Sequence, residues 1–350
     1  MTTARRVLVL GATGYIGSRL VPTLLAAGHT VVAASTSPRP ARFAWGGDVD
    51  WVRCDVGQAR DVRAAARAAG ADTLVYLVHT LDEPGFTGRD RVGAENVRRE
   101  VDRSEIGRVV YLSGLVPPVP EAELSPHIAS RLEVERILLG SRCSSVALRA
   151  GVVVGAGSTS YEVVRQLGQL LVVQPVPDWL RSRVQPIAVT DAVRALAHCV
   201  ESHDLEGAVD IGGPDALPYP ELLRAVTRAA GLWRVQVPVP AAPVELAGML
   251  TAGLVQAPYW TVTSLVESLR HDMVCREGHR WQPTDGPPLL PLATALARAE
   301  AGDPGTLEAR LPSDPEWTRT RAPGLDEADA PAALRAGVSL ALHRLRGLLG

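Results

Sequence analysis

The stretch that most constrains this chain is Gly11-Ala12-Thr13-Gly14-Tyr15-Ile16-Gly17. It follows a short apolar run, Arg6–Leu10 (RVLVL), and opens a helical pattern over Ser18–Ala27 that stops at Gly28. Gly11 permits a tight turn, Gly14 lets backbone approach a diphosphate, and Gly17 lets the helix lie close to the first strand. The free N–H groups at the helix start then face the phosphates, and the helix dipole assists them. All seven residues of the loop are assigned on this basis to dinucleotide binding.

The rest of the chain supports that context. Apolar runs at Thr30–Ala34, Asp50–Cys54, Asp72–Val78, Arg108–Ser113 and Ser145–Arg149 alternate with helical patterns at 58–69, 89–103 and 126–139. The runs are continuous rather than alternating, as strands buried on both faces must be. The expected fold class is α/β: a Rossmann-type doubly wound parallel sheet with a smaller helix-rich C-terminal lobe. Residues 1–215 are assigned to the sheet domain, with 156–183 contributing to the substrate crevice, and 216–301 to the substrate lobe. The segment 302–350 is rich in Pro, Asp, Glu and Arg before a terminal amphipathic pattern at Ala333–Leu349. It is expected to be an irregular tail, poorly ordered or wrapped on the surface, ending in a helix.

Charge and composition exclude several classes. The formal net charge is −2, so no basic field draws a polyanion, and nucleic acid is not expected as a partner. All 36 basic residues are arginine, which removes any lysine amine from the chemistry. The four cysteines (Cys54, Cys143, Cys199, Cys275) have no paired spacing, so neither a disulfide framework nor a cysteine-rich zinc module is expected. His271, Cys275 and His279 would share one face of an unbroken helix, but Gly278 interrupts them and no metal site is assigned. No apolar stretch reaches the roughly 18 residues of a membrane span, and the N-terminal run has no cleavage-type ending. The expectation is a cytoplasmic protein, monomer or homodimer, with a small-molecule substrate and no membrane partner.

The second strand decides the type of dinucleotide. An NAD site commonly carries Asp or Glu at that strand's end to hold the ribose hydroxyls. Here the position reads Ala34-Ser35-Thr36-Ser37-Pro38-Arg39, without an acid. Thr36, Ser37 and Arg39, with Arg42 nearby, suit a 2′-phosphate, so NADP(H) is preferred and NAD(H) stays open. Asp55, at the end of the third strand, either bonds the adenine amino group or simply closes a turn.

With these elements placed, the chain resembles an extended or atypical short-chain dehydrogenase/reductase. The likeness rests on GATGYIG, the CDV at Cys54–Val56, the LVH at Leu77–His79, YLSGL at Tyr111–Leu115, LRAGVVVG at Leu148–Gly155, VQPIAVTDAV at Val184–Val193 and DIGGP at Asp210–Pro214. It covers about residues 5–280 and is similar more narrowly to the NmrA-like, epimerase-like branch. The resemblance implies that Asp55 and Val56 contact adenine and that Leu77, Val78 and His79 line the adenosine ribose. It also implies that Ser113 faces the nicotinamide and that segments after Gly151 close over a substrate.

One departure bears on catalysis. Carbonyl-reducing members usually pair a serine with Tyr-x-x-x-Lys. The corresponding helix here reads Ser125-Pro126-His127-Ile128-Ala129-Ser130-Arg131, which puts His127 at the tyrosine position and Arg131 at the lysine position. The two are one helical turn apart, so both can face the crevice. Histidine titrates near neutrality and is a competent proton donor, whereas arginine binds hydroxyls but cannot share a proton relay. Ser113, His127 and Arg131 are therefore the catalytic candidates, with Tyr161 as a reserve proton donor. The implied activity is NADP(H)-dependent reduction of a carbonyl or imine on a small, largely apolar molecule. A non-catalytic NADP(H)-binding regulator or assembly factor, and an epimerase or isomerase with bound NAD, are the alternatives.

Overall fold

The six apolar runs, joined by a seventh strand near residue 210, form one parallel sheet in a computed structural model that describes residues 4–80, 85–239 and 243–319. The strands are β1 (Arg6–Leu10), β2 (Thr30–Ser35), β3 (Asp50–Arg53), β4 (Thr73–Tyr76), β5 (Arg108–Gly114), β6 (Ser144–Ala150) and β7 (Gly207–Ile211). Their spatial order is β7-β6-β5-β4-β1-β2-β3. Arg6 of β1 stands beside Thr30 of β2, and Val7 beside Thr73 of β4. The order therefore reverses between β1 and β4, and a crevice opens there at the strands' carboxyl ends.

Strand geometry sends successive side chains to opposite faces. Val7 and Val9 enter a core with Leu20, Val21 and Leu24 of α1 (Gly17–Ala26) and with Val193 and Leu196 of a later helix, Val189–Glu201. Leu8 and Leu10 enter the opposite core with Val62 and Ala65 of α2 (Ala59–Ala69), Ala94 and Val97 of α3 (Phe86–Val101), and Val134 and Leu138 of α4 (Pro126–Leu139). Gly70 ends α2 in the left-handed region at φ 52°, and its N–H bonds to Ala66 O.

The smaller lobe gathers α5 (Thr159–Leu170), then, beyond α6 (Val189–Glu201), α7 (Tyr219–Ala229), α8 (Val244–Leu254), α9 (Tyr259–Ser268) and α10 (Leu292–Ala301). Tyr161, Leu222, Val226, Leu292 and Leu296 form one of its cores, and Val163, Val244, Val255, Val262 and Val266 another. Pro258 occupies the cap position before α9 and separates it from α8. Val173–Pro177 pairs in parallel with Val235–Val239 beside these helices.

As far as residue 319 the tail is irregular and packs against the body of the protein, the second of the two expected arrangements. Arg19 of α1 is 1% exposed and meets Asp314 with two parallel bonds of 2.9 and 2.8 Å. The same guanidinium donates to Leu307 O at 2.8 Å and Ala309 O at 2.8 Å. A buried arginine needs a carboxylate and carbonyls, and the polar composition that suggested looseness supplies them. The expected helix at 333–349 lies outside the described residues. Among the described residues no helix is long and apolar enough to cross a membrane.

Candidate active site

The loop between β1 and α1 is shaped by its glycines. Gly11 has φ +84°, and a Cβ there would come within 3.0 Å of the Leu77 carbonyl carbon and oxygen. A Cβ on Gly17 would lie 2.3 Å from Gly11 O and 2.7 Å from Ala12 Cα, so α1 can start against the turn only with glycine. Gly14 donates its N–H to Gly11 O at 3.1 Å, and a Cβ there would meet nothing but that oxygen, at 3.3 Å. The turn is thus closed behind Gly11 and Gly17 and open at Gly14. Ile16, before α1, puts no side-chain cap on the helix start. Thr13 Oγ1 reaches Ser35 Oγ of β2 at 3.4 Å. The Tyr15 ring lies under the Arg19 guanidinium at 3.9 Å, and burial raises its phenol above the ordinary range.

A cavity of about 990 Å³ runs from this turn to α8 and α9. Gly11, Gly14, Tyr15, Ile16, Gly17, Leu77, Val78 and His79 line one end, and Ser113, His127 and Arg131 its middle. The far chamber is walled by Val163, Leu167, Trp179, Leu250, Leu265 and Trp317, among other apolar groups. Among the described residues Arg131 is the one permanently charged side chain on the whole wall.

Ser113 ends up on the wall because it lies near the carboxyl end of β5, and it is 2% exposed. Among the described residues its hydroxyl finds no hydrogen-bond partner of normal geometry. A buried hydroxyl left unpaired is costly, so it marks a place where an absent group belongs. His127 and Arg131 stand a turn apart on α4, as the spacing predicts. Arg131 donates to Leu112 O at 2.8 Å, which fixes it against the end of β5 and leaves its other N–H donors for a ligand. His127 is 8% exposed, and burial, then the charges of His79 and Arg131, hold its imidazole well below the usual range. The positive end of α4, whose cap residue Ser125 bonds Ile128 N, acts in the same direction.

The sequence reading missed the partners behind His127. His127 Nδ1 lies 3.3 Å from His79 Nε2, and His79 Nδ1 lies 2.8 Å from Asp90 Oδ2 on α3. Asp90 Oδ1 also accepts from Thr80 N at 3.1 Å and Thr80 Oγ1 at 2.7 Å. Burial alone would raise the Asp90 carboxyl, but the bond and charge of His79 and the Thr80 bonds outweigh it and hold it below the ordinary value. His79 follows β4 and Asp90 lies on α3, so no single helical or strand period announces the pair.

Other candidates lie elsewhere. Thr36, Ser37 and Arg39 are exposed on the segment after β2, off the cavity wall, as is Arg42. Asp55 Oδ1 accepts from Gly57 N at 2.9 Å, the turn-closing arrangement. Val56 packs on the α2–α3 core, and its carbonyl accepts from Asn96 at 2.9 Å. Tyr161 corrects the expectation that it stands at the crevice. It is 1% exposed in the lobe core, and its hydroxyl donates to Glu300 at 2.5 Å, with burial and that carboxylate raising its pKa. His271, Cys275 and His279 lie on irregular chain after α9, where helical spacing has no meaning.

Comparison with known proteins identifies the family and the fold. The model of the NAD dependent epimerase/dehydratase family matches residues 7–212. A reductase of Streptomyces, 3-diazoavenalumate denitrifying reductase, is 28% identical over 260 residues, covering 65% of this chain and 82% of its own. The Homo sapiens epimerase family protein SDR39U1 is 23% identical over 270 residues, covering 69% and 85%. An uncharacterized protein of Mycobacterium bovis is 26% identical over 235 residues, 67% of this chain but only 24% of the relative's length. Among solved structures, Thermus thermophilus UDP-glucose 4-epimerase in complex with NAD aligns at TM-score 0.55 with 22% identity, covering 76% of this chain and 99% of that one. These structural neighbours bind NAD, and at that identity they share the fold.

Proposed function

The chain belongs to the NAD dependent epimerase/dehydratase family, and from that premise we propose that it is an NADP(H)-dependent oxidoreductase reducing a carbonyl or imine of a small, largely apolar molecule. The observation that carries this reading is the unpaired Ser113 hydroxyl beside His127 on the wall of one cavity, which continues into an apolar chamber. The residues present fit a dinucleotide: the turn is open only at Gly14, and a buried hydroxyl waits at the end of β5. The bound nicotinamide supplies the hydride.

Every other part belongs to the chain. The β1–α1 turn holds the diphosphate with backbone N–H groups. Arg131, braced on Leu112, supplies donors for ribose hydroxyls. The Ser113 hydroxyl polarises the substrate oxygen or nitrogen, and His127 gives it a proton. The apolar wall excludes water and strengthens both hydrogen bonds. Choice of NADP(H) is supported by the end of β2, where Thr36, Ser37 and Arg39 stand in place of an acid. The Streptomyces relative's name as a reductase is consistent with the direction of the chemistry.

An epimerase with retained NAD is the second reading, favoured by the UDP-glucose 4-epimerase neighbour. A sugar nucleotide carries two phosphates, and the chamber beyond Arg131 presents no cation among the described residues. Purified protein is assayed for NADPH oxidation against panels of apolar carbonyls and imines. Turnover that falls in His127→Ala supports the proposal. Co-purified NAD with no net cofactor turnover sinks it in favour of the epimerase. Arg39→Glu is expected to weaken NADPH roughly tenfold more than NADH, and equal loss would contradict the cofactor choice.

A further inference from the structure

We propose that Asp90, His79 and His127 form a proton relay in which His79 stores the proton and His127 passes it onward by exchanging tautomers. The inference rests on the reductase reading above and assigns His79 a role other than lining a ribose.

The chain of contacts fixes the order. Asp90 is 5% exposed and held by Thr80 and by Ser130, whose hydroxyl lies 3.3 Å from Oδ2. Its carboxylate sits 2.8 Å from His79 Nδ1, so that nitrogen keeps its hydrogen throughout. The labile proton of His79 is then the one on Nε2, which faces His127 Nδ1 at 3.3 Å. Two imidazoles in contact share one positive charge poorly, and the charged groups around them assign it. Asp90 on α3 favours a cation at His79, and Arg131 on α4 opposes one at His127. The Phe86 ring stands edge-on to His79, with centroids 6.2 Å apart. The His79 side chain is 19% exposed, so protons from solvent reach it before the more deeply buried His127.

The step balances without charging His127. Before transfer, His79 carries hydrogen on both nitrogens, Asp90 is a carboxylate, and His127 is neutral with its hydrogen on Nε2. As hydride reaches the substrate carbon, the Nε2 hydrogen of His127 bonds to the substrate oxygen or nitrogen. The Nε2 hydrogen of His79 moves to His127 Nδ1. His127 ends neutral as the other tautomer, His79 ends neutral, and the positive charge has left with the product proton. Solvent reprotonates His79, and the reverse exchange resets His127.

Imidazole nitrogen NMR on the full chain, labelled at histidine, tests this without substrate. As pH rises, His79 is expected to lose a proton while His127 stays neutral and switches its hydrogen from Nε2 to Nδ1. Asp90→Asn should move that switch to lower pH by about one unit, and His79→Gln should abolish it. The same one-unit shift is expected in the alkaline fall of NADPH-dependent reduction. Double protonation of His127 at the pH where His79 titrates would overturn the relay. So would a His127 tautomer that never changes in the wild-type protein. If no carbonyl or imine is reduced, the reductase reading fails, while the NMR titration still decides the relay.

Discussion

The two ends of the cavity are built from different materials. At the β1–α1 end the shape is backbone: replacing one Cα hydrogen of Gly17 with a side chain would place its Cβ 2.3 Å from Gly11 O. At the α8–α9 end the wall is side chain, and Leu246 and Leu250 are 49% and 45% exposed while still lining the chamber. Backbone shape tolerates few residue types, so it fixes one class of ligand. A side-chain wall changes with each substitution, so it sets which substrate enters and leaves the fold alone.

Substitutions at each end should separate these behaviours. The largest effect is expected from Gly17→Val, which should destabilise the chain by more than about 4 kcal/mol and abolish nucleotide binding. Thermal unfolding and titration calorimetry measure both, and a folded, nucleotide-binding variant would break the contrast. Asp314→Ala comes next. It leaves the Arg19 guanidinium buried without its carboxylate and should cost about 3 kcal/mol, read by urea unfolding. A loss under about 1 kcal/mol would mean that the carbonyls of Leu307 and Ala309 suffice.

His127 gives a smaller, pH-dependent effect. Its ordinary value is 6.5, and in the folded chain burial keeps it well below that. The unfolded chain therefore takes up a proton that the folded chain refuses once the pH drops beneath 6.5. The stability this ring contributes is complete above that point and drains away on acidification, by up to about 1.4 kcal/mol per pH unit. His127→Asn should flatten the difference between unfolding curves near about pH 7 and about pH 5; an unchanged slope would place the effect elsewhere. The smallest change is expected from Leu250→Ala at the chamber mouth. Stability should fall by less than about 1 kcal/mol and nucleotide affinity should hold, while KM for an apolar substrate rises.

What could be read from the chain follows the same division. The strand, glycine turn and helix were legible because each glycine answers a steric demand made within a few residues. His127 and Arg131 were legible because the family resemblance marks their positions, and helical spacing puts both on one face of α4. Asp90 was not, because its link to His79 follows no single helical or strand period and depends on how α3 packs beside α4. Tyr161 misled because the helix that bears it turns it toward Glu300 and the lobe core. The apolar residues of α8 and α9 read equally well as core, and only the fold shows that some of them face empty space. For the segment after Gly302 composition left loose and surface-wrapped chain equally open, since it says nothing about a single ion pair formed across the chain.

That pairing has a practical consequence. Gly302 follows the last α-helix and looks like a natural place to end the polypeptide, since all seven strands of the main sheet and ten α-helices precede it among the described residues. A fragment cut there would keep every layer of the architecture and still strip the Arg19 guanidinium of its carboxylate and of two of its carbonyl partners behind the β1–α1 turn. Residues some three hundred positions downstream thus act as the back plate of the first turn, and shortening the protein from that end is expected to injure the beginning before anything else.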